Sequence, residues 1–427
     1  MHYLFTLLHR WVGLVIAGFL IVSGLTGAVI SWDHELDDLL NPHLNHVESR
    51  GAYLSSLDLA QAIETRDPRA RVTFVPLALE AGEALAFGVN PRVDPDTGKL
   101  YELDYNQVFI DPVTGNELGR REWGSVWPVT QENLVSFLYK LHYSLHLPEM
   151  WGIDHWGEWL LGGIAILWTL DCFVGFYLTL PRRALISGSS TISNRPTVQS
   201  WRTRWAPAWK IKTSGTVKRI NFDIHRAFGL WTWGLLFMLG FTAFSLNLYR
   251  EVFYPVMSVM TEVTPSPFDL RAESDLHEPI TPKIGFAPII DSAVEIASKR
   301  NWPEPVGEAF YAQHFGVYGV GFYHPGDDHG AAGVGPPVLY FDAGDGQYLG
   351  DRQPWKGTAA DIFVQAQFPL HSGRILGLPG RILVSVMGLG TAILSITGVI
   401  IWWRKRTAQN QVSHNQGKGH APIPAGQ

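Results

Sequence analysis

The stretch Leu4-Phe5-Thr6-Leu7-Leu8-His9-Arg10-Trp11-Val12-Gly13-Leu14 opens an apolar run that continues to about residue 32. That run exceeds the roughly 20 helical residues needed to cross about 30 Å of hydrocarbon. Three more runs of membrane length follow, at about residues 156–180, 228–248 and 382–403, with aromatic residues near their ends. The second is interrupted by Asp171, an acid that is costly at that depth unless paired, neutralised or functional. The first run is too long for a signal-peptide apolar region, and no small-residue cleavage site closes it. Trp32, Asp33 and His34 follow it instead. The reading is an α-helical integral membrane protein with a four-helix transmembrane bundle.

The opening motif returns. Leu8-His9-Arg10-Trp11-Val12-Gly13-Leu14 in the first span is echoed by Ile224-His225-Arg226-Ala227-Phe228-Gly229-Leu230 at the third. Leu141-His142 precedes the second span and Leu370-His371 the fourth. Gly175-Phe176-Tyr177-Leu178 ends the second, and Gly398-Val399-Ile400-Ile401-Trp402 the fourth. The plan is span, external domain, span, used twice.

Charge sets the expected orientation. Residues 181–221 carry Arg182, Arg183, Arg195, Arg202, Arg204, Lys210, Lys212, Lys218 and Arg219 without one acid, and Arg404-Lys405-Arg406 follows the fourth span. Residues 33–152 hold 19 acids against 9 bases, and residues 250–378 hold 16 against 8. Positive segments stay inside, so both termini and the basic loop are expected in the cytoplasm and the two acidic segments outside, which in a bacterium means the periplasm or cell exterior. The partition is helix 1 at 1–32, external domain 33–152, helix 2 at 153–180, basic loop 181–221, helix 3 at 222–248, external domain 249–378, helix 4 at 379–404 and a disordered tail from 405 to 427.

Each external segment reads as a small α/β unit. The first has a helix at 56–64, strands at 71–74, 85–89 and 108–110, and a turn at Pro112-Val113-Thr114-Gly115-Asn116. The second repeats this, with a helix at 289–299, strands at 309–313, 317–323 and 338–341, and a turn at Asp342-Ala343-Gly344-Asp345-Gly346.

One cysteine, Cys172, stands against 16 histidines. This excludes an internal disulfide, a Cys-ligated iron–sulfur cluster and covalent CxxCH haem attachment. A net charge of -6 offers no basic field for nucleic acid. His9 and His225 lie near the cytoplasmic starts of their spans, and His142 and His371 just outside the external ends of theirs. Two histidines on opposing helices can supply both axial nitrogens of a b-type haem. His146, four residues after His142, shares its face if that segment is helical. Gly13, Gly18, Gly24 and Gly27, with Gly162, Gly163, Gly229 and Gly240, leave room for a flat macrocycle. Arg10 and Arg226 either snorkel or pair with haem propionates, and Arg374 and Arg381 can do the same outside.

Competing sites are weaker. His155 lies at the mouth of the second span. His324-Pro325-Gly326-Asp327-Asp328-His329 gathers metal-ligand types in a Gly- and Pro-rich loop, and His43 and His46 are close in sequence. His43-Leu44-Asn45-His46 lacks the glutamate of the helical zinc-protease motif. No GxGxxG between strand and helix and no GxxxxGK[ST] is present, so a nucleotide or flavin domain is unsupported.

The chain resembles the bacterial PepSY-associated transmembrane family, whose members include inner-membrane ferric-siderophore reductases. The resemblance rests on the two His-Arg-x-x-Gly segments, on Leu141-His142-x-x-Leu145, and on Leu370-His371-x-Gly373 with Leu378-Pro379-Gly380-Arg381. It rests also on Gly175-x-Tyr177-x-x-x-Pro181-Arg182-Arg183 and Thr397-Gly398-x-x-x-Trp402. Val108-Phe109-Ile110-Asp111-Pro112-x-Thr114-Gly115 and Val338-Leu339-Tyr340-Phe341-Asp342-x-x-x-Gly346 look like two PepSY strand–turn pieces. It covers about residues 1–406. It implies a four-helix bundle holding two haem b groups, with two external α/β PepSY-like domains. His9 and His225 would bind the inner haem, and His371 with His142 or His146 the outer one. Electrons from quinol or a cytoplasmic flavin reductase would cross the bilayer to a ferric siderophore or other Fe(III) chelate outside, releasing Fe(II) for uptake. The alternatives are a haem b subunit passing electrons from quinol to a periplasmic redox partner, and a non-enzymatic, membrane-anchored PepSY binding protein.

Overall fold

A computed structural model describes residues 1–182 and 200–418. Arg183 and Arg195 of the basic segment, and residues 419–427 of the tail, lie outside the described residues. The chain divides into two compact units, residues 1–28, 161–244 and 385–427 in one and residues 29–160 and 245–384 in the other. In chain order the helices are α1 (His2–Ile30), α2 (Asp33–Leu40), α3 (Pro42–Asn45), α4 (Ser56–Arg66), α5 (Leu134–Ser144), α6 (Trp156–Thr179) and α7 (Trp201–Trp205). They continue as α8 (Val217–Trp231), α9 (Trp233–Asn247), α10 (Tyr254–Met260), α11 (Phe286–Lys299), α12 (Ala359–Gln365), α13 (Gln367–Ser372) and α14 (Leu378–Lys418). The strands are β1 (Ala70–Pro76), β2 (Leu85–Pro91), β3 (Gln107–Ile110), β4 (Glu117–Arg121), β5 (Val306–Ala312), β6 (Val317–Phe322), β7 (Val338–Asp342) and β8 (Tyr348–Arg352).

Among the described residues α1, α6 and α14 are long and apolar enough to cross a membrane. The third expected span, read as one helix over 222–248, is instead the pair α8 and α9, bent by 70°. The break falls at Thr232, which leaves helical geometry at φ -102°, ψ 6°. Its hydroxyl donates to the Phe228 carbonyl at 2.8 Å, a back-bond that bends helices. Helix α14 runs on past Arg404 to Lys418, where a disordered tail from 405 was expected. No proline or glycine interrupts residues 404–416, so nothing in the sequence stops the helix there. Helices α1 and α14 touch backbone to backbone. A Cβ on Gly24 would lie 2.6 Å from the Gly388 carbonyl oxygen, and one on Gly388 would lie 3.2 Å from Ala28 Cβ. Small residues one turn apart allow this approach in membrane helices. Gly24 is therefore a helix contact rather than part of a slot, and Gly240 likewise packs on Trp168. Gly13, Gly18 and Gly163 do face open space.

The second unit carries one eight-stranded antiparallel sheet, in the order β4-β3-β2-β1-β5-β6-β7-β8. Two separate α/β domains were expected; two four-stranded meanders are instead fused through β1 and β5. The joining register is Phe74↔Phe310, Val75↔Ala309 and Pro76↔Glu308. Each meander alone would leave that strand as an unpaired edge, and the pairing removes both edges. Helix α4 packs Leu59, Ala60 and Ile63 on the first half, and α11 packs Ile289, Ala293 and Ala297 on the second. These residues recur every three or four positions, one helical face. The repeat extends to the turns. Asp111 accepts from the Val113 and Thr114 amides at 2.8 and 3.2 Å, and Asp342 from Gly344 and Asp345 at 2.7 and 3.1 Å. Gly115 and Gly346 complete the turns at φ 70° and 76°, where other residues are strained.

Candidate metal centres

His9 of α1 and His225 of α8 meet. Their ring centroids are 6.1 Å apart and the planes are inclined by 55°. The start of α8 is anchored by Asp223, fully buried, which accepts from Arg219 and Arg226 at 2.8 Å each. The sequence repeat becomes a repeat of environment. Each imidazole lies against a glycine of another span. A Cβ on Gly175 would come 3.4 Å from His9 Cε1, and one on Gly398 would come 3.2 Å from His225 Cε1. Within the turn before each glycine sits the partner of the ring's Nδ1. For His9 it is Asp171, whose two carboxylate oxygens accept from Nδ1–H at 3.0 and 2.9 Å. For His225 the acceptors are the Leu394 carbonyl at 3.1 Å and Thr397 Oγ1 at 3.0 Å. Both rings are thus held by Nδ1, the arrangement that fixes the tautomer and orients Nε2 as a metal ligand.

The spacing suits a shared metal. Two imidazoles on opposite sides of one metal, each with a nitrogen about 2 Å from it, would have centroids about 6 Å apart, and adjacent ligands would bring them about 1 Å closer. The neighbouring arginines supply a second test. Arg10 Nε and Arg226 Nε are both buried and lack a hydrogen-bond partner among the described residues. Arg226 otherwise donates to Asp223 and to the Pro207 carbonyl at 2.7 Å. Buried guanidinium donors left open beside each histidine fit an anionic group, such as a haem propionate.

In the other unit His142 of α5 and His371 of α13 repeat the geometry, with centroids 6.1 Å apart and planes at 52°. His146 does not share the face of His142. Helix α5 stops at Ser144, because Leu145 and His146 take left-handed φ of 54° and 52°. The His146 ring stacks on Phe137 at 4.6 Å, and its Nε2–H donates to the Phe137 carbonyl at 2.8 Å. Burial holds its imidazole below the ordinary histidine range. His155 is tied to Glu158 at 3.1 Å and lies near Asp154 at 3.4 Å. Arg374 lies 3.5 Å from Asp33. Arg381 donates to the Ser31 carbonyl at 2.9 and 2.6 Å and to Glu35 at 2.7 Å. That hydrogen bond from Arg381 holds the Glu35 carboxyl down at about 2.

A third cluster joins residues far apart in sequence. His34, Asp328 and His329 bring one ligand atom each to within 4.8 Å of one another, and can coordinate a metal ion. His324 is not among them, and it accepts the Asp327 amide in the same loop through its backbone carbonyl at 2.9 Å. His43 and His46 bind carboxylates separately, Glu132 at 3.0 Å and Asp38 at 3.2 Å. The roles of Asp171 and His34 had no signature beyond an isolated acid in an apolar run and a histidine after it.

No curated protein matches the chain. A family model described as the PepSY-associated TM region matches residues 6–405. The protein is a membrane protein carrying a small metal-capable cluster, and it belongs to the PepSY-associated transmembrane family.

Proposed function

We propose that the protein is a bacterial inner-membrane ferric-chelate reductase whose histidine pairs His9/His225 and His142/His371 each ligate one haem b. Held by these four histidines, haem b would supply a one-electron carrier suited to electron transfer rather than oxygen chemistry. The carrying observation is that two pairs on a repeated motif have the same 6.1 Å ring separation. His9 and His225 present their outer nitrogens because Asp171, Leu394 and Thr397 hold the inner ones. The open Nε donors of Arg10 and Arg226 would be available to propionates. The charge pattern supports cytoplasmic termini and an external sheet unit.

The substrate is an Fe(III) chelate outside the membrane, such as a siderophore. One electron, supplied by quinol or a cytoplasmic flavin reductase, converts Fe(III) to Fe(II). Hard oxygen donors hold Fe(II) far less tightly, and the metal leaves the chelate. The test is an oxidised-minus-reduced absorbance spectrum of the purified protein with haem content per chain. About two b-type haems per chain are expected, with one lost in His225→Ala. Folded, haem-supplied protein without a Soret band would overturn the reading.

A further inference from the structure

We infer that His34, Asp328 and His329 form a divalent transition-metal site that receives the Fe(II) product, an inference that rests on the reductase reading for the identity of its metal. His34 lies in the first turn of α2, directly after Asp33. Asp328 and His329 lie in the loop between β6 and β7. That loop is shaped by its own backbone: the Gly330 amide donates to Asp327 at 3.1 Å, and the Gly335 amide to His329 at 2.8 Å. Gly330 takes φ 59°. The two imidazole rings lie 4.9 Å apart at 34°, with the Asp328 carboxylate 3.5 Å from His329 Nδ1.

Three donors so gathered, two imidazoles and one carboxylate, match the two-histidine, one-carboxylate set that holds non-haem Fe(II) while leaving positions open. Calcium and magnesium prefer all-oxygen shells, so this set selects against them. The exposure of His34 and Asp328 leaves room for water in the remaining positions and for exchange of the ion. Glu80 adds negative charge beside the loop, its carboxylate 3.3 Å from the Cβ position of Gly326.

The cluster is also connected to the second histidine pair. Asp33, the residue before His34, contacts Arg374 at 3.5 Å, and Arg374 lies one turn of chain after His371. Iron reduced beside His142 and His371 would therefore be released near ligands that prefer the divalent ion. Imidazole nitrogen offers a softer donor than the chelate's oxygens, and this favours transfer after reduction and not before.

The experiment uses the full-length protein in detergent, titrated anaerobically with Fe(II) alone and, in parallel, with Co(II) as a coloured probe. One ion per chain is expected. His34→Ala and His329→Ala should each weaken binding by about tenfold or more. Asp328→Asn, which keeps the shape and loses the charge, should do the same, while the haem spectrum stays that of the parent. Equal binding by parent and by the His34→Ala/His329→Ala double variant overturns the site. Loss of binding only together with the haem spectrum also overturns it, because the substitutions then act through folding. Binding that depends on the three residues in a protein lacking haem would keep the metal site while removing the reductase reading.

Discussion

Asp171→Asn tests the inner histidine pair most directly. Asp171 is only 8% exposed, and both its oxygens lie within 3.0 Å of His9 Nδ1. Asparagine keeps the size and one acceptor but removes the charge. A net hydrogen bond to a charged group is worth about 1.5–3 kcal/mol, against about 0.5–1.5 for a neutral one. The substitution therefore removes roughly 1 kcal/mol of electron donation toward His9. An oxidised metal, the more positive state, loses more of that support than the reduced one. A differential of 1.4 kcal/mol is about tenfold, or about 59 mV for one electron. The midpoint potential of one haem should thus rise, by up to about 40 mV. The assay is a spectroelectrochemical titration, with the His142/His371 haem as internal reference. In a His371→Ala background, where only the His9/His225 centre remains, the same shift should persist. Two unmoved midpoints, or a shift that vanishes in that background, would refute the argument that Asp171 acts through His9.

Thr397→Val should shift the same midpoint less, because His225 keeps the Leu394 carbonyl as acceptor at 3.1 Å; the same titration checks it. His142→Ala should remove one haem per chain while His146→Ala keeps both, as counted by pyridine haemochrome, since the His146 ring is turned back onto the Phe137 carbonyl of α5. Gly24→Val places a Cβ where Gly388 O already lies at 2.6 Å and should cost about 1–3 kcal/mol, read as a lower Tm in detergent. Glu35, held at about 2 by Arg381, has its carboxyl depressed in the folded state. Its contribution is present above the ordinary carboxylate pKa and lost as pH falls through about 2. Glu35 is half exposed, so the gain is below about 1 kcal/mol. The Tm difference between the parent and Glu35→Gln should be small near neutral pH and vanish in strong acid.

Much of the architecture was legible because it is written in local quantities. Apolar runs long enough for a bilayer, two His-Arg-x-x-Gly segments and two Asp-headed turns each lie within a short stretch. The edge strands Glu117–Arg121 and Tyr348–Arg352 were not legible. Edges need only pair one side, so their polar residues show no alternating pattern. The bend at Thr232 was equally hidden, since its hydroxyl's choice of the Phe228 carbonyl leaves the hydropathy unchanged.

The amino-acid sequence by itself determined that this chain enters a membrane, that its plan is repeated, and which histidines stand at matching places in that repeat. Length, hydropathy and spacing are properties of the chain taken in order. Only the tertiary structure decided that β1 and β5 fuse two meanders into one sheet, that Asp171 serves His9, that His371 faces His142 rather than His146, and that His34 joins Asp328 and His329. Those outcomes depend on which surfaces pack together, and packing brings side chains within hydrogen-bond reach without regard to their distance along the chain.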